Sequence, residues 1–168
     1  MYLKMAIKIF ITGGTIDGLE YDSAAAAPKS NKSLIPGLLQ QARVTSDFSV
    51  DVLMSKDSKF ITNKDRDILL KNCQQCKEDR IVITHGTMTM ADTAKSLGEK
   101  HLQKTIVLTG SAIPANKENS DALFNLGAAL TAVQLLPRGV YLTMNGKIFL
   151  WDNVRKDLDS GFFDTEKK

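Results

Sequence analysis

Three short stretches combine hydroxyl side chains with glycine: Thr12-Gly13-Gly14-Thr15, Thr84-His85-Gly86-Thr87 and Thr109-Gly110-Ser111. Glycine lets the backbone approach a ligand closely and present its N–H groups. A neighbouring hydroxyl becomes a nucleophile once a base takes its proton. Such a set suits an anion, or the oxyanion of an acyl transfer. The competing reading is a set of capping and turn residues, among which Ser, Thr and Gly are common. It weakens when three such stretches fall at equivalent places. A phosphate loop is disfavoured, because TGGTID has neither the Gly-x-Gly-x-x-Gly spacing nor a Gly-Lys-Ser/Thr ending. Cys73 and Cys76 form a C-x-x-C at the end of a helical run, whereas a redox pair opens a helix. His85 and His101 lack zinc-finger spacing, so no metal site is expected and the thiols read as incidental.

The elements that position these stretches follow from periodicity. Residues 6–12, 80–84 and 105–109 are near-continuous apolar strands, and each stretch ends one of them or directly follows it. Residues 48–54 alternate as a further strand. Helices are expected over 33–42 with Ser33 as cap, 62–76, 90–99 and 121–136. Thr62 and Asp65 form a capping-box pair, and Ile68, Leu69 and Cys73 are assigned to one face of that helix. Asn145-Gly146 predicts a hairpin between 138–144 and 147–151. The loop 13–32 is long enough to be functional. Strands alternating with helices imply a three-layer, doubly wound α/β domain, with a mostly parallel sheet and helices on both faces. It is expected over 1–164, with 165–168 a frayed tail. Such sheets bind ligands at the carboxyl ends of their strands, where all three stretches fall.

The chain of 168 residues fits one domain, and 43% hydrophobic content is enough for a core. A net charge of +3 with interspersed signs gives no nucleic-acid footprint. No apolar stretch approaches the ~20 residues of a membrane span. Residues 6–11, interrupted by Lys8, do not read as a secretory core, so a cytoplasmic location is expected. Trp151, Phe162 and Phe163 have little following chain to cover them, which predicts a homo-oligomer, a dimer or tetramer.

The first two stretches resemble the two signatures of bacterial-type L-asparaginases and asparaginase/glutaminases. They stand in the right order and about 70 residues apart. The resemblance continues through Ser55-Lys56-Asp57, Asp121 to Leu126 and Arg138 to Lys156. It covers nearly the whole chain but only the amino-terminal domain of the usual family member. It implies an amidohydrolase without cofactor, acting on a small amide. Thr15 would be the nucleophile that forms an acyl-enzyme, served by Tyr21 on the following loop. Thr87 and Lys156 would assist. Gly14 and Gly86 would line the substrate, and Ser55 and Asp57 would bind its polar groups, Ser55 taking the α-carboxylate; Lys56 departs from the glutamine usual in long family members, and a cation there would suit a carboxylate. His85 is expected to orient the strand end rather than act as a base.

The sequence departs from the family at Met88, where an aspartate is expected to pair with lysine and grip the substrate's α-ammonium group. A thioether is only a weak acceptor. Asp57 could hold the ammonium instead. Otherwise the substrate is not a free α-amino acid, or the enzyme is weakened. The reading that follows is hydrolysis of L-asparagine to aspartate and ammonia. Its rival is a binding module for an amino acid or dicarboxylate, favoured by Met88, and a flavodoxin-like nucleotide binder is weaker still.

Overall fold

The structure, a computed structural model, describes residues 5–18 and 33–166. Its central sheet is built from β1 (Ile7–Gly13), β2 (Phe48–Lys56), β3 (Arg80–Thr84), β4 (Thr105–Thr109), β5 (Gly139–Met144) and β6 (Lys147–Leu150), in the order β2-β1-β3-β4-β5-β6. All neighbours run parallel except the β5–β6 hairpin. Asn145 and Gly146 turn that hairpin, both with positive φ. The helices are α1 (Ile35–Gln41), α2 (Asn63–Gln75), α3 (Met90–Gly98) and α4 (Ala122–Leu135).

Alternation along the strands sorts the core into two layers. Ile7, Ile9, Ile11, Val82, Val107 and Tyr141 pack with α1 and α4. Phe10, Ile81, Ile83, Ile106, Leu108 and Leu142 pack with α2 and α3 on the other face. The sheet is thus covered on both sides, which is why its strands read as continuous apolar runs.

Two expectations need correction. On α2 the buried row is Asp65, Leu69 and Cys73, while Ile68 is exposed. The i, i+4 row lies against the sheet, and position 68 falls on its outer flank. The terminal aromatics, expected to lack cover, are also mostly covered. Phe163 is buried, and the Trp151 ring lies so close over Gly98 that a Cβ there would sit 2.1 Å from it. Only Phe162 of the three stands exposed, and large exposed apolar side chains lie instead on α4 and β6, at Phe124, Leu135 and Ile148.

Beyond the hairpin, β7 (Arg155–Lys156) and β8 (Phe163–Asp164) form a small antiparallel ribbon that periodicity did not reveal. Its turn is closed by the Asp157 N–H donating to Phe162 O at 2.8 Å, and Gly161 supplies a φ of 77°. Among the described residues no helix is long and apolar enough to cross a membrane, and no cluster of His, Cys, Asp or Glu could hold a metal.

Candidate active site

The strand order reverses between β1 and β3: the chain passes from β1 to β2 on one side and returns to β3 on the other. That reversal opens a crevice at the carboxyl ends of the two strands, where doubly wound sheets bind ligands. The stretches ending at Thr15 and Thr87 border it. They touch through their glycines: a Cβ on Gly14 would fall 2.4 Å from Gly86 Cα. Gly14 also holds φ 84°, a left-handed geometry that favours glycine. The Thr12 hydroxyl donates to Thr84 O at 2.9 Å and adds a side-chain tie between the strand ends.

Thr15 opens a single 3₁₀ turn, Thr15–Asp17, closed by the Gly18 N–H on Thr15 O. The Asp17 carboxylate is buried and accepts the Ser33 hydroxyl at 2.7 Å and the Leu34 N–H at 2.6 Å. Burial pushes its pKa up, against these bonds. Ser33 in turn accepts the Ile35 N–H at the start of α1. Asp17 therefore ties Ser33 and Leu34, which follow the 13–32 loop in sequence, back to the Thr15 turn. Tyr21 lies on that loop, outside the described residues.

The β3 end carries Thr87, Met88 and Thr89 into α3. Lys156 Nζ donates to Thr87 Oγ1 at 2.7 Å and lies 3.6 Å from Met88 Sδ. Burial lowers the Lys156 pKa below its ordinary 10.5, because partial desolvation disfavours the ammonium. A neutral Lys156 amine could accept the Thr87 proton along the same line. His85 is fully buried and held neutral, its pKa pushed down to about 4 by desolvation. Its Nδ1 stands 2.7 Å from Gly86 O, and its Nε2 stands 2.9 Å from Thr93 Oγ1. Arg66 Nε donates to that same hydroxyl, so the Nε2 side accepts and the Nδ1–H fixes Gly86. His85 is an orienting group here, as its sequence context suggested.

The substrate-loop residues fall differently from one another. Ser55 and Lys56 are the last residues of β2 itself, with Lys56 in register with Gly13. Lys56 Nζ pairs with Asp65 at 2.6 Å, inside the Thr62–Asp65 capping box. Asp57 accepts the Lys59 N–H at 2.9 Å and caps the next turn. Sequence reasoning missed Ser58. It is buried, accepts the Met88 N–H at 3.1 Å, and its backbone carbonyl takes the Thr89 hydroxyl at 2.7 Å. A Cβ on Gly86 would strike Ser58 Oγ at 2.6 Å, so this serine, rather than Ser55, meets the second signature. The available signal was the adjacent Asp57-Ser58 pair, a capped turn directly after a strand.

The third stretch is structural. Thr109 donates to Thr143 O at 2.9 Å and Ser111 to Ile113 O at 2.7 Å. Gly110 is needed because a Cβ there would sit 2.3 Å from His85 O. Buried Asn125, also missed, donates to Gly110 O and accepts the Asn145 N–H, joining the β4 and β5 ends.

Two hydroxyl-bearing loops thus meet at the switch point of a doubly wound α/β sheet, with a lysine on one hydroxyl. The chain belongs to the asparaginase family, matching the description "Asparaginase, N-terminal" over residues 6–163. It is 32% identical over 145 residues to a glutamyl-tRNA(Gln) amidotransferase subunit of Saccharolobus islandicus, spanning 81% of this chain and 32% of that protein. It is 31% identical over 160 residues to the L-asparaginase of Thermococcus kodakarensis, spanning 90% of this chain and 48% of the relative. The fold matches the crystal structure of L-asparaginase I from Vibrio cholerae with a TM-score of 0.81 and 28% identity, over 97% of this chain and 52% of that one. The chain thus spans about half, or less, of the length of these relatives.

Proposed function

We propose that the chain is an amidohydrolase that cleaves a small side-chain carboxamide of the asparagine type, releasing ammonia. Thr15 attacks the amide carbon, ammonia leaves, and water hydrolyses the acyl-enzyme. Thr87 and Lys156 form the proton-handling pair, and Tyr21 serves Thr15 from the loop. Backbone N–H groups near Thr15 and Thr87 supply oxyanion donors, each contributing roughly 3–4 kcal/mol when aligned. The observation that carries the reading is the 2.7 Å contact of Lys156 Nζ with Thr87 Oγ1, beside a Gly14–Gly86 contact that brings both threonine loops together. Gly14 and Gly86 would line the substrate, with Ser58 packed beside Gly86. Ammonia release from L-asparagine by the purified chain tests the reading. Binding of aspartate or succinate without any ammonia release would favour the rival, a binding module, for which Met88 speaks.

The reading includes self-association through the exposed apolar face of α4 and β6. Light scattering that finds only monomer at every practical concentration would remove that part.

A further inference from the structure

We infer that the preferred substrates are ω-amides of dicarboxylic acids that carry no free ammonium group, and that Met88 sets this preference. The inference rests on the amidohydrolase reading and sharpens it. Met88 is 44% exposed beside Thr87, with its N–H fixed by Ser58 Oγ and its sulfur against the Lys156 Nζ. Among the described residues Lys156 makes no ion pair, and its hydrogen-bond partners are Thr87 Oγ1 and Met88 Sδ.

Among the described residues, four acids along this edge are engaged by their own loops. Asp17 holds Ser33 and Leu34, Asp57 caps Lys59, Asp65 pairs with Lys56, and Asp121 accepts the Ala112 and Ile113 N–H groups. Among the described residues, the side chains set beside the Thr87 hydroxyl are therefore the Met88 thioether and the Lys156 amine. In asparagine the amine nitrogen is three bonds from the amide carbon, so a productive pose brings it close to the threonine hydroxyls. There it meets the Met88 thioether, a weak acceptor, and, while Lys156 is protonated, a like charge as well. A methylene at the same place meets the Met88 side chain favourably. The reaction is succinamate plus water giving succinate and ammonium: the C–N bond breaks, a C–O bond forms, and water supplies the oxygen and the protons.

The test compares kcat/KM for succinamate and L-asparagine in the natural chain, in Met88→Asp and in Met88→Leu. Succinamate is expected to lead by tenfold or more in the natural chain and in Met88→Leu. Met88→Asp is expected to raise asparagine by roughly thirtyfold, the change a charged hydrogen bond of about 2 kcal/mol produces, and to lower succinamate. A natural chain that prefers asparagine, or a ratio unmoved by Met88→Asp, overturns the inference while leaving the amidohydrolase reading intact. Ammonia from neither compound in any variant overturns the amidohydrolase reading instead. Calorimetric binding then decides the inference by itself: succinate tighter than aspartate supports it, and equal or reversed affinities refute it.

Discussion

Lys156 Nζ reaches Thr87 Oγ1 at 2.7 Å across 69 positions of sequence. The contact depends on the ribbon of β7 and β8, which is pinned by buried Val154 and Phe163 on either side of Lys156. Partial burial lowers the Lys156 pKa from 10.5, so a neutral amine, able to accept a proton from Thr87 in the proposed reaction, is present at less alkaline pH than for a free lysine.

Replacement of Lys156 by Met is therefore expected to remove a rising limb from the pH dependence of kcat/KM. In the natural chain that limb should have an apparent pKa below 10.5. The stability effect has the opposite sign to a salt bridge. The unfolded chain holds the Lys156 proton more tightly, so the penalty of burying the ammonium is full below the folded pKa and fades as pH rises toward 10.5. Ammonia assays and thermal melts across alkaline pH check both statements. An unchanged rate profile in Lys156→Met would separate this lysine from the chemistry.

Thr15→Ala should lower ammonia release by roughly a thousandfold or more, the scale seen when a nucleophile is deleted. Thr15 is only half-buried, and its turn is held by backbone bonds, so the melting temperature should barely move. Steady-state kinetics beside a melt decide the matter. A variant that keeps most of its activity would take Thr15 out of the reaction.

Gly14→Ala is expected to damage both fold and activity. The added Cβ would meet Gly86 backbone at 2.4 Å, at a residue held at φ 84°. Backbone cannot swing aside as a side-chain tip can, so a loss of about 2–4 kcal/mol is expected. Gly37→Ala is the control, since among the described residues nothing lies within 4 Å of its Cβ position. Urea unfolding of the two variants should separate them clearly.

His85 makes the fold sensitive to acid. Its pKa falls from 6.5 to about 4 on folding, so the unfolded chain binds the proton more readily. Its contribution is complete above pH 6.5 and is lost as pH falls toward 4, by about 3 kcal/mol in all. His85→Gln should lack this part of the acid dependence, at the expense of stability at neutral pH. Parallel denaturation curves that keep the same separation from pH 7 to pH 4 would contradict it.

The order of strands and helices was legible in the sequence because its signals are local. Apolar runs, the Thr62–Asp65 capping box and the Asn145-Gly146 turn each act within a few residues, and each recurs in the structure. The glycines of the first two signatures were legible too, since backbone contact leaves glycine as the fitting residue. Tertiary structure alone decided which way α2 rolls, burying Leu69 and exposing Ile68, because the sheet selects one row of the helix to cover. It placed Ser58 under Gly86 while Ser55 stays within β2, and it folded Phe163 inward so that Lys156 stands over Thr87. Those placements depend on strand order and on contacts between distant segments, and a periodicity of two or 3.6 residues carries no information about either.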